Sequence, residues 1–151
     1  MRRTVLGLAL LSVALLVGCQ ESGRGLLVSD VRVGAPAGPN AALYFTVTNR
    51  GDEPDRLVGA TTDVAERVEI HETTMDDDGT MRMQAVAGVD APINQTVALE
   101  PGGLHVMLVG VERLDEGESV DVTLQWEVAG DLDVVAEVVA PAETMADDHG
   151  Q

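Results

Sequence analysis

The chain has 151 residues, of which 45% are hydrophobic and only 2% aromatic, and its formal net charge at pH 7 is −17. So acidic a surface disfavours nucleic acid and anionic substrates as partners. The length is sufficient for one domain with a core of its own, and we expect no second domain.

The N-terminal segment has the pattern of an export signal. Arg2 and Arg3 precede an apolar run from Val5 to Val17, which ends at Gly18-Cys19. Crossing a bilayer as a helix takes about 20 apolar residues, and this run is shorter. We therefore predict a cleaved signal peptide over residues 1–18.

Cys19 is the only cysteine in the chain. The stretch Leu16-Val17-Gly18-Cys19 resembles the lipobox of bacterial lipoproteins, which implies that Cys19 becomes the N-terminus and carries the lipid. Residues 19–25 would form a lipidated tether, and the protein would be anchored on the extracytoplasmic face of a membrane, periplasmic or outer. With one cysteine there is no intramolecular disulfide, so the core alone must stabilise the fold.

Short apolar runs separated by turn residues follow the tether and predict an all-β domain over residues 26–140. Alternation is clear in Ser119 to Val128, which predicts one packed and one solvated face and hence an antiparallel β-sandwich of Greek-key type. Residues 141–151 are expected to be a disordered polar tail. The predicted strands are Leu26–Val33, Ala42–Thr48, Arg56–Thr61, Glu66–Glu72, Met81–Val86, Thr96–Leu99, Leu104–Val109, Ser119–Val128 and Asp133–Val139.

Four of the six methionines and two of the three histidines fall in two short windows, His71 to Met83 and Pro101 to Met107. Residues two apart in a strand share a face. His105 and Met107 therefore lie opposite the apolar face formed by Leu104, Val106 and Leu108. His71 lies at the end of its strand, and both histidines are expected to be reachable from solvent.

The acidic turn Asp76 to Gly79 predicts a hairpin with His71 and Met83 near its tip, close to His105 and Met107. Two imidazoles and two thioethers without hard oxygen donors favour a soft ion such as Cu(I) over zinc or iron. Alternatively, Met75 and Met81 only fill gaps in the core, and the acidic turn is only a solvated loop.

The two windows are similar to the signature of the periplasmic copper chaperones called PCu(A)C: Val-Glu-Ile-His-Glu, an acidic-Gly turn, Met-x-Met, then Pro-Gly-Gly-x-His-x-Met. The resemblance covers about Leu26 to Val139. It implies a cupredoxin-like fold and copper ligands at His71, Met83, His105 and Met107. Eleven residues separate His71 from Met83 where the family pattern has ten, so Met81 is an alternative to Met83.

The family's role implies a non-enzymatic metallochaperone that delivers Cu(I) to the copper A centre of cytochrome c oxidase, alongside a Sco-type thioredoxin-like protein. Met145 and His149 in the tail are a candidate auxiliary copper site. The alternative function is a metal-free lipoprotein sandwich that serves as a binding or assembly module. An electron-transfer cupredoxin would need a cysteine ligand, which Cys19 cannot supply from the lipidation point. Hydrolase signatures such as Gly-x-Ser-x-Gly are absent from the sequence.

Overall fold

The computed structural model describes residues 20–21, 25–36 and 38–140. These residues form eleven strands and no helix, and therefore no helix long and apolar enough to span a membrane. The strands are β1 Gln20–Glu21, β2 Leu26–Gly34, β3 Asn40–Asn49, β4 Asp55–Thr61, β5 Arg67–Met75, β6 Met81–Ala85, β7 Val89–Ala91, β8 Thr96–Leu99, β9 Leu104–Val109, β10 Ser119–Trp126 and β11 Gly130–Val139.

The strands hydrogen-bond in the order β6-β5-β9-β3-β2-β11-β10-β4-β7, while β1 pairs with β2 and β8 pairs with β3. All pairings are antiparallel except that of β2 with β11, which is parallel. The predicted antiparallel sandwich is thus corrected at one place. A parallel pair needs a crossover connection, and the whole chain between β2 and β11 supplies it.

The core lies on one face of each long strand because apolar and polar residues alternate along it. In β10, Val120, Val122, Leu124 and Trp126 are buried, while the residues between them point outward. In β3 the same period buries Leu43, Phe45 and Val47 and leaves Ala42 and Tyr44 on the other face. That second face, where β3, β9, β5 and β6 lie side by side, carries the residues of chemical interest.

All nine predicted strands are present, with ends that differ by up to three residues. β7 was missed because its three residues lie between Gly88 and Pro92, too few to show a period. β1 was missed as well, so Gln20 and Glu21, which were assigned to the tether, pair with Val28 and Leu27. β5 continues to Met75, which places His71 in mid-strand rather than at the strand's end.

A buried carboxylate fixes the turn between β10 and β11. Asp55, 7% exposed, accepts hydrogen bonds from the backbone N–H of Arg56 at 2.7 Å, of Val128 at 2.9 Å and of Ala129 at 2.9 Å. Carboxylates accept hydrogen bonds from several backbone N–H groups without needing a cation. Asp55 therefore links the start of β4 to a turn more than 70 residues away.

We predict that Asp55→Asn lowers the free energy of unfolding by about 2 kcal/mol, because an amide NH₂ would replace one of the accepting oxygens and leave a buried N–H unpaired. Urea denaturation followed by Trp126 fluorescence measures the change. Asp52→Asn removes the same charge from an exposed position of the preceding loop and is expected to leave stability within about 0.5 kcal/mol. Equal unfolding midpoints for the two variants would contradict this role.

Candidate metal centre

The two histidines that the sequence singled out are direct cross-strand neighbours. β5 and β9 pair antiparallel with His71 opposite His105 and Glu69 opposite Met107. Residues that face each other in this way project from the same side of the sheet. The two imidazole rings lie with centroids 5.8 Å apart in an edge-to-face arrangement. The register therefore brings together two histidines that are 34 residues apart in sequence.

The methionines of the hairpin lie on the same side. β6 pairs with β5 so that Ala85 faces His71, Met83 faces Thr73, and Met81 faces Met75. Met83 is thus one pair closer to the histidines than Met81 is. All four methionines of the two windows, with His71 and His105, share one face of the sheet.

The extra acidic residue lies in the turn and leaves this ladder intact. Pairing begins at Met75 and Met81, and residues 76–80 form the turn, closed by hydrogen bonds from Asp76 N–H to Thr80 O and from Gly79 N–H to Asp76 O. Gly79 has a φ of +80°, a conformation that glycine adopts without steric cost. In this chain the turn thus accommodates the additional residue, and Met83 lies on the same face as His71.

A cleft of about 330 Å³ opens over this face of the sheet. Its lining is mostly apolar and includes the candidate ligands Met83, His105 and Met107 together with the ring of Tyr44 from the neighbouring strand β3. The other lining residues are Ala42, Thr73, Met81, Arg82, Pro101 and Gly102.

The prediction that both histidines are reachable from solvent is wrong for His105, which is 3% exposed. The centroid of the Tyr44 ring lies 6.3 Å from that of the imidazole, and the turn at Pro101 and Gly102 borders the same cleft. The His71 side chain is 16% exposed. Met83, at 54%, forms the open edge of the group.

A chain of charged groups along β5 fixes the tautomer of His71. Arg67 donates to Glu69 at 2.8 Å, and the other carboxylate oxygen of Glu69 lies 2.8 Å from Nε2 of His71. The hydrogen bond from Arg67, followed by that from His71, lowers the pKa of Glu69 below its usual range. An ionised carboxylate only accepts, so Nε2 carries the proton and Nδ1 keeps its lone pair.

His105 has the opposite tautomer. Its Nδ1 lies 3.1 Å from the carbonyl oxygen of Gly103, which can only accept, so Nδ1 carries the proton and Nε2 keeps the lone pair. Burial, opposed by this hydrogen bond, lowers the pKa of His105 below the ordinary histidine value, and the neighbouring His71 adds to the effect. The ring is therefore neutral at neutral pH.

Both nitrogens that keep a lone pair, Nδ1 of His71 and Nε2 of His105, are buried without a hydrogen-bond partner. Nε1 of Trp126 is also buried without such a partner, but it is a donor with no lone pair for a metal. The buried polar side chains of Asn49 and Asp55 are both hydrogen-bonded. Asn49 bonds the carbonyls of Glu53 and Ala91 and the N–H of Gly51, and Asp55 accepts the three bonds described above. An unsatisfied buried polar atom costs about 1–3 kcal/mol, which a bound Lewis acid would offset.

The donors around these nitrogens are soft. Within residues 20–21, 25–36 and 38–140, no group of three or more histidine, cysteine or carboxylate side chains is arranged to hold a metal. Imidazole and thioether donors without such a group select for a soft ion rather than for calcium, magnesium or a three-ligand zinc site. Cys19, Met145 and His149 lie outside the described residues.

Sequence reasoning did not identify Glu69, Tyr44 or Gly103 as parts of this centre. Glu69 carried a signal, since it lies two residues before His71 and so shares its face. Gly103 likewise lies two residues before His105, although its residue type does not indicate that its carbonyl accepts from the ring. Tyr44 carried no signal, because its position follows from the pairing of β3 with β9.

The sequence profile of the family described as "Putative lipoprotein LpqE-like" matches residues 26–138. A curated relative, "Putative lipoprotein Lxx21020" of Leifsonia xyli subsp. xyli (strain CTCB07), is 32% identical over 126 residues, which are 81% of this chain and 76% of that protein.

Solved structures with a similar fold are PCuAC domains and DR1885. The copper-bound PCuAC domain from PmoF2 has a TM-score of 0.65 at 28% identity, covering 78% of this chain and 94% of that one. The apo PCuAC domain from PmoF1 has a TM-score of 0.67 at 29% identity, covering 78% and 95%. CuI-DR1885 from Deinococcus radiodurans has a TM-score of 0.59 at 34% identity, covering 80% and 83%. The predicted cupredoxin-like β-sandwich is confirmed.

We predict that NMR of the imidazole nitrogens at pH 7.5 in the metal-free protein shows His71 protonated on Nε2 and His105 protonated on Nδ1. A hydrogen bond to a charged group is worth about 1.5–3 kcal/mol, which favours the stated tautomer of His71 by at least about tenfold.

Glu69→Ala is expected to remove this preference at His71 and to leave His105 unchanged. Glu72→Ala is the matched control, since Glu72 points to the opposite face of β5. Protonation of His105 on Nε2 in the unmodified protein would contradict the assignment.

Proposed function

Since the chain belongs to the LpqE-like lipoprotein family and shares the fold of copper-binding PCuAC domains, we propose that it is an extracytoplasmic Cu(I)-binding metallochaperone. Lipid on Cys19 would anchor it to the membrane surface, as the family description and the lipobox-like segment support. It would carry its metal as cargo and catalyse no reaction.

The observation that carries this proposal is the pair of buried imidazole nitrogens that face no hydrogen-bond partner beside thioethers. We assign as ligands Nδ1 of His71, Nε2 of His105 and the sulfur atoms of Met83 and Met107. Met107 lies beside His105 on β9 and faces Glu69, while Met83 reaches the group from the edge strand β6. Four neutral, soft donors suit a monovalent soft ion, which needs no anionic ligand to balance a second charge.

The structural relatives support copper as the ion. One of the similar PCuAC domains is copper-bound, and one form of DR1885 contains Cu(I). The preference for Cu(I) over Cu(II) in this chain follows from the two thioethers, which are soft ligands. Because thioethers carry no proton and His105 is kept neutral by burial, protons compete weakly for the site.

The proposed ligands differ in exposure, and this favours transfer of the bound ion to an acceptor over its storage. His105 and His71 are recessed and held by hydrogen bonds to Gly103 and Glu69, whereas Met83 is half exposed on an edge strand. The ion would therefore be transferred at the open edge of the centre, on the side of Met83. The acceptor we propose is the copper A centre of cytochrome c oxidase, with a Sco-type thioredoxin-like protein as a further partner.

We predict that an anaerobic titration of Cu(I) against a chromophoric chelator gives one tight site per chain. His105→Ala and Met107→Leu are each expected to weaken it by more than the about 10- to 100-fold that loss of an outer-sphere partner costs. Met107→Leu keeps the volume and removes only the sulfur.

Met75→Leu serves as the matched control, because it removes an exposed thioether from the same face at a distance from the histidines. We expect its tight site to be unchanged. Wild-type affinity in both the His105 and the Met107 variants would exclude the proposed centre. No stoichiometric Cu(I) binding by the unmodified protein would favour a metal-free binding module.

Delivery is a separate prediction. Deleting the gene in cells grown under copper scarcity should reduce loading of the copper A centre, and adding back the wild-type gene, but not a His105→Ala copy, should restore it. The absorbance of the copper A centre in isolated membranes measures loading. A fully metallated oxidase in the deletion strain would rule out this acceptor while leaving copper binding untouched.

A further inference from the structure

Three methionines are exposed at the tip of the β5–β6 hairpin. Met75, Met81 and Met83 are 68%, 57% and 54% exposed, and they make up half of the exposed large hydrophobic side chains in the described part of the chain. Every residue of β6 is exposed, and β6 is the last strand at its end of the sheet. The thioethers of this group therefore do not fill a core, which is the usual role of methionine.

The register brings the three thioethers within reach of one ion. Met75 and Met81 are directly opposite each other, which places their Cβ atoms about 4.5–5.5 Å apart. Met83 follows Met81 by two residues on the same face, about 7 Å along the strand. Each unbranched side chain has three rotatable bonds, so the sulfur atoms can converge.

The charge near the tip favours a cation. The turn carries Asp76, Asp77 and Asp78, and Arg82 balances only Asp76, with which it forms an ion pair. Such a turn raises the local concentration of a positive ion. Its carboxylates are hard donors, so the thioethers decide which ion is bound.

We propose that Met75, Met81 and Met83 form a second, weaker Cu(I) site, through which the ion enters and leaves the recessed centre. The existence of this site does not depend on the proposed function, but its role in exchange does. Met83 belongs to both donor sets, so it can stay bound while Met75 and Met81 are exchanged for the histidines and Met107. The oxidation state of the ion is unchanged in this exchange, and the thioethers carry no proton to lose.

Burial of His105 is the reason why such a route is needed. An acceptor cannot directly reach a ligand that is 3% exposed, whereas it can reach the three exposed thioethers. At the exposed tip the ion would be accessible from the surface. Met83 connects this position to the buried donors, because it belongs to both donor sets.

The site itself is tested with the full chain, purified in detergent with ¹³C-methyl methionine and carrying His105→Ala and Met107→Leu to remove the recessed centre. Cu(I) is added anaerobically. We expect the methyl signals of Met75, Met81 and Met83 to shift together and saturate at one equivalent. Adding Met75→Leu and Met81→Leu should abolish the Met83 shift. Unmoved Met75 and Met81 signals in the first protein would overturn the site.

The role in exchange is tested with Met75→Leu/Met81→Leu in the otherwise unmodified chain. We expect unchanged affinity of the tight site and transfer of Cu(I) to a chelator slowed at least about tenfold, which corresponds to about 1.4 kcal/mol in the barrier. Ile93→Leu, an exposed apolar change elsewhere, is the control. Wild-type transfer rates in the double variant would overturn the role, and so would a loss of affinity in Met81→Leu equal to that of His105→Ala. Circular dichroism checks that each variant is folded.

The two proposals fail in different ways. Methyl shifts at the tip without tight binding at His105 and Met107 would remove the proposed function and keep the tip site. Tight binding that depends on His105 and Met107, with no shift at Met75 and Met81, would keep the proposed function and overturn the tip site.

Discussion

The antiparallel register of β5 and β9 is the constraint on which the candidate centre depends. It places His71 opposite His105, and every other donor is positioned relative to that pair. A slip of one residue would turn His71 into the core and Ile70 outward, because successive side chains in a strand point to opposite faces. Burial of Ile70, Val106 and Leu108 resists such a slip. The hydrophobic core thus sets the geometry of a site that lies on the other side of the sheet.

Two hydrogen bonds fix the tautomers of these histidines and so determine which nitrogen of each ring can bind a metal. Glu69 and the Gly103 carbonyl take the proton-bearing nitrogens of His71 and His105, and each ring keeps one nitrogen with a lone pair. The two rings use different nitrogens, so the site is not symmetric although the strands that carry it are paired residue for residue.

Alternation and turn residues were sufficient to predict the strands and the face on which His105 and Met107 lie. They could not give the burial of His105, since Tyr44 reaches it from β3, about 60 residues earlier. They also missed β7, whose three residues show no period, and the parallel pairing of β2 with β11, which has no local signal. The position of Met83 relative to the histidines was ambiguous from spacing alone, and the ladder from Met75–Met81 inward gives its register. The ligand set stays a prediction, because spacing and register place the donors without showing the ion.

The unpaired outer edge of β6 has a consequence for the protein's behaviour at high local concentration. An exposed edge strand presents free backbone N–H and C=O groups that another chain can extend into a larger sheet, and natural proteins protect such edges with charge. Here the edge ends in three consecutive aspartates, on a chain with a formal charge of −17. Copies crowded on a membrane would therefore repel one another at the strand most open to addition. The hairpin can therefore stay uncovered without becoming a template for aggregation.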